Sequence, residues 1–302
     1  MRATVFAPGS IGNVGPGFDV LGLAIDEVGD RVTVELTGGP ARVAVRGVDA
    51  ALVPVNPTHN AASIAADAMI RVLGGEGSAA VEIEKGIPVS AGLGGSASSS
   101  VAGAYAAALA CGVEPQPAVI IAAALAGEMF VSGRHLDNIA PITLGGLVLS
   151  RSIDPIDVIR LPVPRGWTAV LLTPNVRIET RRARSILPET WDRRSWVQQM
   201  ANTAALVAAF SMADRELARR ALDDLYAEPL RAPMIPNFAA VKRAALDRGA
   251  FGCSISGAGP TIFALVDGDR AAGCADAMRE AMRGTDCQVR ISRIADRGAH
   301  RV

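Results

Sequence analysis

Pro88-Val89-Ser90-Ala91-Gly92-Leu93-Gly94-Gly95-Ser96-Ala97-Ser98-Ser99 is the stretch on which the reading of this chain turns. Before it, Ala80 to Glu84 alternates as a strand does; after it, Ser96 to Ala110 is almost wholly Ala, Ser, Gly and Val, which suits a closely packed helix. A glycine-rich link from strand to helix forms a phosphate cradle, because glycine lets the backbone approach an anion and the helix start adds free amides and a positive dipole end. Ser96, at that start, offers a hydroxyl to phosphate or Mg²⁺. The plainer alternative is a tight turn capped by serine. Only Lys85 and Lys242 are lysines among thirty basic residues. Neither the G-x-x-x-x-G-K-[ST] loop nor a strand lysine beside a G-x-G-x-x-G loop is present. Lys85 is expected to end its strand in solvent.

Toward the amino terminus, Thr4 to Ala7, Arg31 to Leu36 and Arg42 to Arg46 carry β-branched residues at period two and are expected as antiparallel strands. A helix is expected over 60–73, with Ile64, Ala65, Ala68, Met69, Val72 and Leu73 on one face and Gly74-Gly75 ending it. Toward the carboxy terminus the pattern predicts a helix over 117–130, a strand over 144–150 and a turn at Asp154-Pro155-Ile156. Strands over 168–172, 261–266 and 288–294 follow, with helices near 192–211, 213–226, 237–248 and 269–283. This is an α+β chain. Its 302 residues suit two domains, expected as 1–155 and 156–302.

Thirty acidic residues balance the thirty basic ones, so no overall field recruits nucleic acid or an anionic membrane. The longest apolar run, Ala118 to Ala126, is far short of the ~20 residues of a membrane span. No signal-peptide pattern opens the chain, and a cytoplasmic location is expected. Cys111, Cys253, Cys274 and Cys287 are scattered and read as reduced core residues.

Two further glycine-rich segments stand out. Ser10-Ile11-Gly12-Asn13-Val14-Gly15-Pro16-Gly17-Phe18-Asp19 sets four glycines and prolines around an amide and a carboxylate that can grip a polar substrate; the alternative is a long turn whose side chains bond their own backbone. Ile255-Ser256-Gly257-Ala258-Gly259-Pro260-Thr261 precedes a strand, and is either a plain hairpin connection or a backbone approach to a ligand or to the first domain.

In this order the three segments resemble the GHMP kinases, the family of galactokinase, homoserine kinase, mevalonate kinase and phosphomevalonate kinase. The cradle is similar to that family's P-x-x-x-G-L-G-S-S-A loop, with Gly95 where the first serine is usual. Within the family the homoserine kinases are most similar. The likeness includes Ala7-Pro8 through Gly22, Arg134-His135-Leu136-Asp137-Asn138-Ile139-Ala140-Pro141 followed by Gly145-Gly146, Thr180 to Pro188, Ala227-Glu228-Pro229-Leu230-Arg231, and Ile255 to Thr261. The resemblance implies a ribosomal protein S5 domain 2-like amino-terminal domain, a ferredoxin-like carboxy-terminal domain and a site in the cleft between them. It also implies ATP and Mg²⁺, L-homoserine as acceptor, a place in threonine biosynthesis, and a homodimer.

ATP would then be held by Pro88, Ser90, Ala91, Gly92, Leu93, Gly94, Gly95, Ser96, Ala97 and Ser98, and Mg²⁺ by Ser96 and Glu128. Homoserine carries a carboxylate, an ammonium and the reacting hydroxyl. Arg184 and Arg231 would hold the carboxylate as guanidinium forks; Asp19 would accept from the ammonium or hydroxyl, and Asn13 would orient the substrate. His135 and Asn138 would line the same site and, with Asp19, make up the catalytic set. Asn138 stands where mevalonate and galactose kinases have an aspartate, and an amide cannot take a proton, so catalysis by alignment without a strong base is expected. Against these roles, a lone arginine is usually a surface residue, a lone histidine usually structural, and Glu128 can be an exposed helix carboxylate. His59 and His300 have no assigned role. A kinase of the mevalonate or sugar type and a non-catalytic nucleotide-binding regulator are the alternatives.

Overall fold

Period-two burial in β1 (Arg2–Gly12) and β2 (Leu21–Thr37) makes them natural sheet partners, and they pair antiparallel with a bulge between Pro8 and Gly9. The structure, a computed structural model, describes residues 1–302. The first domain continues with β3 (Arg42–Gly47), α1 (Ala61–Val72), β4 (Ser78–Lys85), α2 (Gly95–Ala110), α3 (Pro117–Val131), α4 (Ile139–Leu144), β5 (Leu147–Ile153) and β6 (Ile156–Leu161). The second contains β7 (Trp167–Pro174), α5 (Thr180–Ser185), α6 (Arg193–Met212), α7 (Arg215–Ala221), α8 (Glu228–Arg231), α9 (Phe238–Asp247), β8 (Gly252–Ile255), β9 (Ile262–Asp267), α10 (Ala271–Ala281) and β10 (Cys287–Arg293). A final strand, β11 (His300–Arg301), returns to β1.

The first sheet runs β11-β1-β2-β4-β3, with β5 on the front of β2 and β6 beside β5. β3 corrects the antiparallel expectation. It lies parallel to β4, Val43 beside Val81, because α1 intervenes as a crossover and brings the chain back to the same end of the sheet. The buried stripe of α1 is Ala62, Ala65, Ala66, Met69 and Ile70; Val72 lies off it and is exposed. The small residues of α2 are nearly all buried, and a Cβ on Gly103 would meet the Ala62 carbonyl at 2.5 Å, so only a slim helix fits between sheet and α1.

The second sheet is antiparallel, β10-β7-β9-β8, with α9 and α10 packed on one face. Its other face shares a core with the first domain: Trp167, Leu171 and Phe263 join Ile11, Leu23 and Leu93, with Leu206 and Phe210 of α6. Asp154-Pro155 is the tip of the β5–β6 hairpin, so the first sheet extends to Leu161 and a division at 155 would cut that hairpin. The helix expected over 213–226 stops at Ala221, where Asp224 captures the N–H groups of Tyr226, Ala227 and Glu228 and draws the backbone out of the helix. No helix is long and apolar enough to cross a membrane. All four cysteines are free thiols.

Candidate active site

The cradle begins where β4 ends. Ser90 and Gly92 take positive φ, and Gly94 caps α2 at φ 67° without a side-chain acceptor, which leaves the first-turn N–H groups open to an anion. Only glycine serves at 94, since a Cβ would collide with the Ser10 hydroxyl and stand 3.1 Å from Asn138 Oδ1. The back of the cradle is held by the other domain. Ser256 Oγ donates to the Gly92 carbonyl at 2.6 Å and Thr261 Oγ1 to the Ala91 carbonyl at 2.6 Å. The segment 255–261 is therefore both a hairpin connection and a contact with the first domain.

Lys85 is not in solvent. It is 5 % exposed, pairs with the fully buried Asp30, and donates to the Gly95 carbonyl at 3.1 Å and to Ser99 Oγ at 3.2 Å. Asp30 also accepts from Ser99 Oγ at 2.7 Å and from the N–H groups of Gly86 and Ile87 at 3.0 and 3.2 Å. Every ammonium donor is used, so the pair braces the first turn of α2. A buried charge is stable only when partnered in this way. Lysine's rarity in the chain marked the position, but its partner lies 55 residues upstream in a segment with no motif.

Across the cleft, Arg184 makes a fork–fork pair with Asp19: Nη1 donates to Oδ2 at 2.9 Å and Nη2 to Oδ1 at 2.7 Å. The hydrogen bond to Asp19 raises the Arg184 pKa. Two groups both assigned to substrate thus satisfy each other in this conformation. Arg231 is 3 % exposed, with Nε donating to the Ala183 carbonyl and Nη1 to the Gly257 carbonyl, while Nη2 has no protein partner. Burial, and then the charge of Arg184, lower its pKa. Asn13 Nδ2 donates to the Gly257 carbonyl at 3.2 Å, and its Oδ1 accepts the Asp19 N–H at 3.0 Å, fixing the loop that presents Asp19. Phe18 lies between these groups, its ring centre 5.4 and 5.5 Å from the guanidinium carbons of Arg184 and Arg231.

Between cradle and cation cluster lie His135, Asp137 and Asn138. His135 Nδ1 bonds Asp137 Oδ1 at 2.8 Å, and its buried Nε2 has no partner. Burial alone would lower the His135 pKa, but the hydrogen bond and charge of Asp137, with Asp19 and Glu128, outweigh it and push the value up to about 9. Asp137, to which sequence reasoning gave no role, spends its other oxygen on the Asn13 N–H. Asn138 Oδ1 accepts from Ser10 Oγ at 2.9 Å, which leaves its Nδ2 available. Glu128 is 2 % exposed, not a surface carboxylate. Oε2 takes the Ser132 hydroxyl at 2.8 Å, whereas Oε1 is buried without a partner. Burial raises its pKa, and the nearby Ser96 hydroxyl and the hydrogen bond from Ser132 oppose that rise. An orphaned carboxylate oxygen beside a serine hydroxyl fits a hard divalent cation, which would satisfy the oxygen and keep the group ionised.

Ser90, Ala91, Gly92, Gly94, Gly95 and Ser96 of the cradle line one cleft of about 460 Å³ with Asn13, Asp19, Lys85, Glu128, His135, Asp137, Asn138, Arg184 and Arg231. Of the residues expected to hold ATP, Pro88 is not in the lining, and Leu93, Ala97 and Ser98 are buried behind it in the core. Beyond the cradle it ends in an apolar recess of Leu52, Val53 and Pro54, with His59 edge-on to Phe130 at 5.5 Å between ring centres. Sequence reading gave that recess no role, since it comes from an irregular segment without a motif.

Comparison with known proteins agrees with this geometry. Residues 60–146 match the profile of the GHMP kinases N terminal domain, and residues 204–284 that of the GHMP kinases C terminal region. A homoserine kinase of Chloroherpeton thalassium is 42 % identical over 295 residues, covering 93 % of this chain and 92 % of that one. One of Pyrococcus abyssi is 40 % identical over 266 residues, covering 88 % of each. The crystal structure of homoserine kinase from Cytophaga hutchinsonii superposes with a TM-score of 0.93 at 38 % identity, over 100 % of this chain and 97 % of that one. A mevalonate kinase structure, at 14 % identity and a TM-score of 0.71 over 97 % and 99 %, shares the fold. With both of the family's regions matched and about two-fifths identity sustained along nearly the whole sequence, this chain belongs to the GHMP kinases.

Proposed function

We propose that the chain is a homoserine kinase, transferring the γ-phosphoryl group of ATP to the side-chain hydroxyl of L-homoserine to give O-phospho-L-homoserine, a step of threonine biosynthesis. The observation that carries the reading is that an anion cradle and an opposed carboxylate–guanidinium pair face one cleft. The pair is matched to a zwitterion: an amino acid offers an ammonium to Asp19 and a carboxylate to Arg184 and Arg231, so both members stay satisfied when it enters. A lone carboxylate that draws Arg184 away would leave Asp19 unpaired, which is costly, and a neutral sugar offers no charge to replace the pair if it opens.

In this reading the cradle amides hold the phosphates and the apolar recess takes the adenine. Ser96 and Glu128 would hold Mg²⁺, which when bound neutralises charge on the β- and γ-phosphates. The acceptor oxygen lies within reach of the Asn138 amide, and the free N–H of a protonated His135 donates to an oxygen of the reacting groups. Asn138 is neutral, His135 already carries its proton at neutral pH, both Asp137 oxygens are engaged, Asp19 is paired with Arg184 and Glu128 is assigned to the metal, so no side chain is left as a base. The hydroxyl oxygen forms the new bond to γ-phosphorus as the bond to the β-phosphate oxygen breaks. The hydroxyl proton passes to an oxygen of the transferred group, and ADP leaves.

The test is ADP release with ATP and Mg²⁺ over a panel of homoserine, 4-hydroxybutyrate, 3-amino-1-propanol, mevalonate and galactose. Homoserine is expected to exceed each single-charge analogue by at least about a hundredfold in kcat/KM, from ~3 kcal/mol per unpaired charged group. Turnover of mevalonate or galactose with none of homoserine overturns the reading.

A further inference from the structure

The acceptor end of the cleft is assembled from two segments distant in sequence. One is the loop 13–19 with Asn13 and Asp19; the other is the turn at 223–227 leading into α8, which ends in Arg231. Phe18 packs against Tyr226 and Arg231 across them, and one further side chain hydrogen-bonds to both segments. Gln199 of α6 is 8 % exposed, and its Nε2 donates both to the Pro16 carbonyl at 2.9 Å and to Asp224 Oδ1 at 2.8 Å. Its Oε1 accepts the Leu225 N–H at 2.8 Å. The amide orientation is forced, because the carboxylate and the carbonyl only accept and the backbone N–H only donates.

Each partner leads directly to the site. Pro16 precedes Phe18 and Asp19, and its carbonyl receives a second donor from Thr203, one turn further along α6, at 2.9 Å. Asp224 gathers the N–H groups of Tyr226, Ala227 and Glu228, which sets the start of the short helix bearing Arg231. A neutral amide is the one side chain of this length that can give two hydrogen bonds and take one here. Leucine would lose all three. Glutamate would keep the acceptor and set a second carboxylate against Asp224.

We propose that Gln199 is a positioning residue that fixes the separation between the Asp19 loop and Arg231, and so sets the affinity for the amino-acid acceptor without touching it. This rests on the homoserine kinase reading. Binding that depends on two opposed charged groups is sensitive to small displacements of either, whereas the phosphate cradle, braced elsewhere, is not.

The experiment compares Gln199→Leu and Gln199→Glu with the unsubstituted protein, measuring KM for homoserine and for ATP, kcat, and Tm. The expected result is a homoserine KM raised at least about tenfold in both, with the ATP KM within about twofold. In Gln199→Glu the homoserine KM is also expected to recover as pH falls from 8 to 6, because a carboxyl buried beside another takes up a proton and becomes a donor again; Gln199→Leu shows no such recovery. A purely structural role would lower Tm and the active fraction, hence apparent kcat, with both KM values and their pH dependence unchanged, and that result overturns the proposal. Should neither variant fold, Thr203→Val, which removes the second donor to Pro16 and a bond within α6 to the Gln199 carbonyl, is expected to raise the homoserine KM about threefold, and an unchanged value there overturns the proposal equally. Absence of homoserine turnover in the unsubstituted protein would instead sink the functional reading itself.

Discussion

His135 draws its charge from its neighbours: Asp137 on Nδ1 and the fields of Asp19 and Glu128 outweigh the cost of burying an imidazolium. Because its folded pKa, about 9, lies above the ordinary 6.5, its contribution to stability is complete below about pH 6.5 and is lost as pH rises through 9. Activity is expected to follow the same sign. The kcat/KM profile should be flat from pH 6.5 to 8 and decline near 9, and His135→Gln should reduce kcat by no more than about a hundredfold, below what loss of a true base brings. A profile that rises toward pH 9 in the unsubstituted protein, and loses that rise in His135→Gln, would identify His135 as the base. At this scale the sequence was legible where residues stand in a motif. Asn13, Asp19, His135, Asn138, Arg184 and Arg231 do line one cleft. It was opaque where a role is decided by a partner: Lys85 reads as a surface residue until Asp30 is seen beneath it, and Asp137 reads as filler until both of its oxygens are found spent.

Helix α2 shows what an element adds to its residues. The helix is slim because α1 and the sheet press on it, and its start is open because Gly94 provides no cap. Gly95, where related loops have serine, is in the first turn with ordinary negative φ, so glycine is not required there. A Cβ at that position would lie 3.3 Å from Ile87 Cγ2 and 3.5 Å from Lys85 Nζ, room that a few tenths of an ångström would open. Gly95→Ser is therefore expected to raise unfolding stability by about 0.5 kcal/mol, chiefly by restricting the unfolded chain, and to leave the ATP KM unchanged or up to about threefold lower. A urea titration and an ATP saturation curve check both; loss of stability would mean that Ile87 cannot yield. Element type was legible from periodicity for α1 and β4 and from composition for α2 and α3, whereas the short α4, α5, α8, β6 and β8 gave too little pattern to be read. What periodicity could not carry was direction and membership. A strand pattern does not say that β3 runs parallel to β4, and a Pro-containing turn at 154–156 marks a hairpin tip as readily as a domain boundary.

Over the whole molecule, the two domains are neither beads on a string nor one core, but two cores with a third shared between them. Thr261 stands at that join. Its hydroxyl meets the Ala91 carbonyl at 2.6 Å and Thr173 Oγ1 at 2.7 Å. Thr261→Val keeps the shape and removes both, and is expected to cost about 1–2 kcal/mol of stability and to raise the ATP KM several-fold, since the same carbonyl anchors the cradle. Thermal unfolding together with ATP saturation tests this, and a stability loss with an unaltered ATP KM would separate the join from nucleotide binding. The arrangement also bears on how the protein comes into being. Ser256 and Thr261 follow the cradle residues they hold by 164 and 170 positions. At about 5–20 residues per second of synthesis, a nascent chain displays its phosphate loop for roughly 8 to 34 s before the residues that back it have been made. The loop is thus backed only once Ser256 and Thr261 have been made, so the proposed nucleotide binding matures well after the loop itself has emerged.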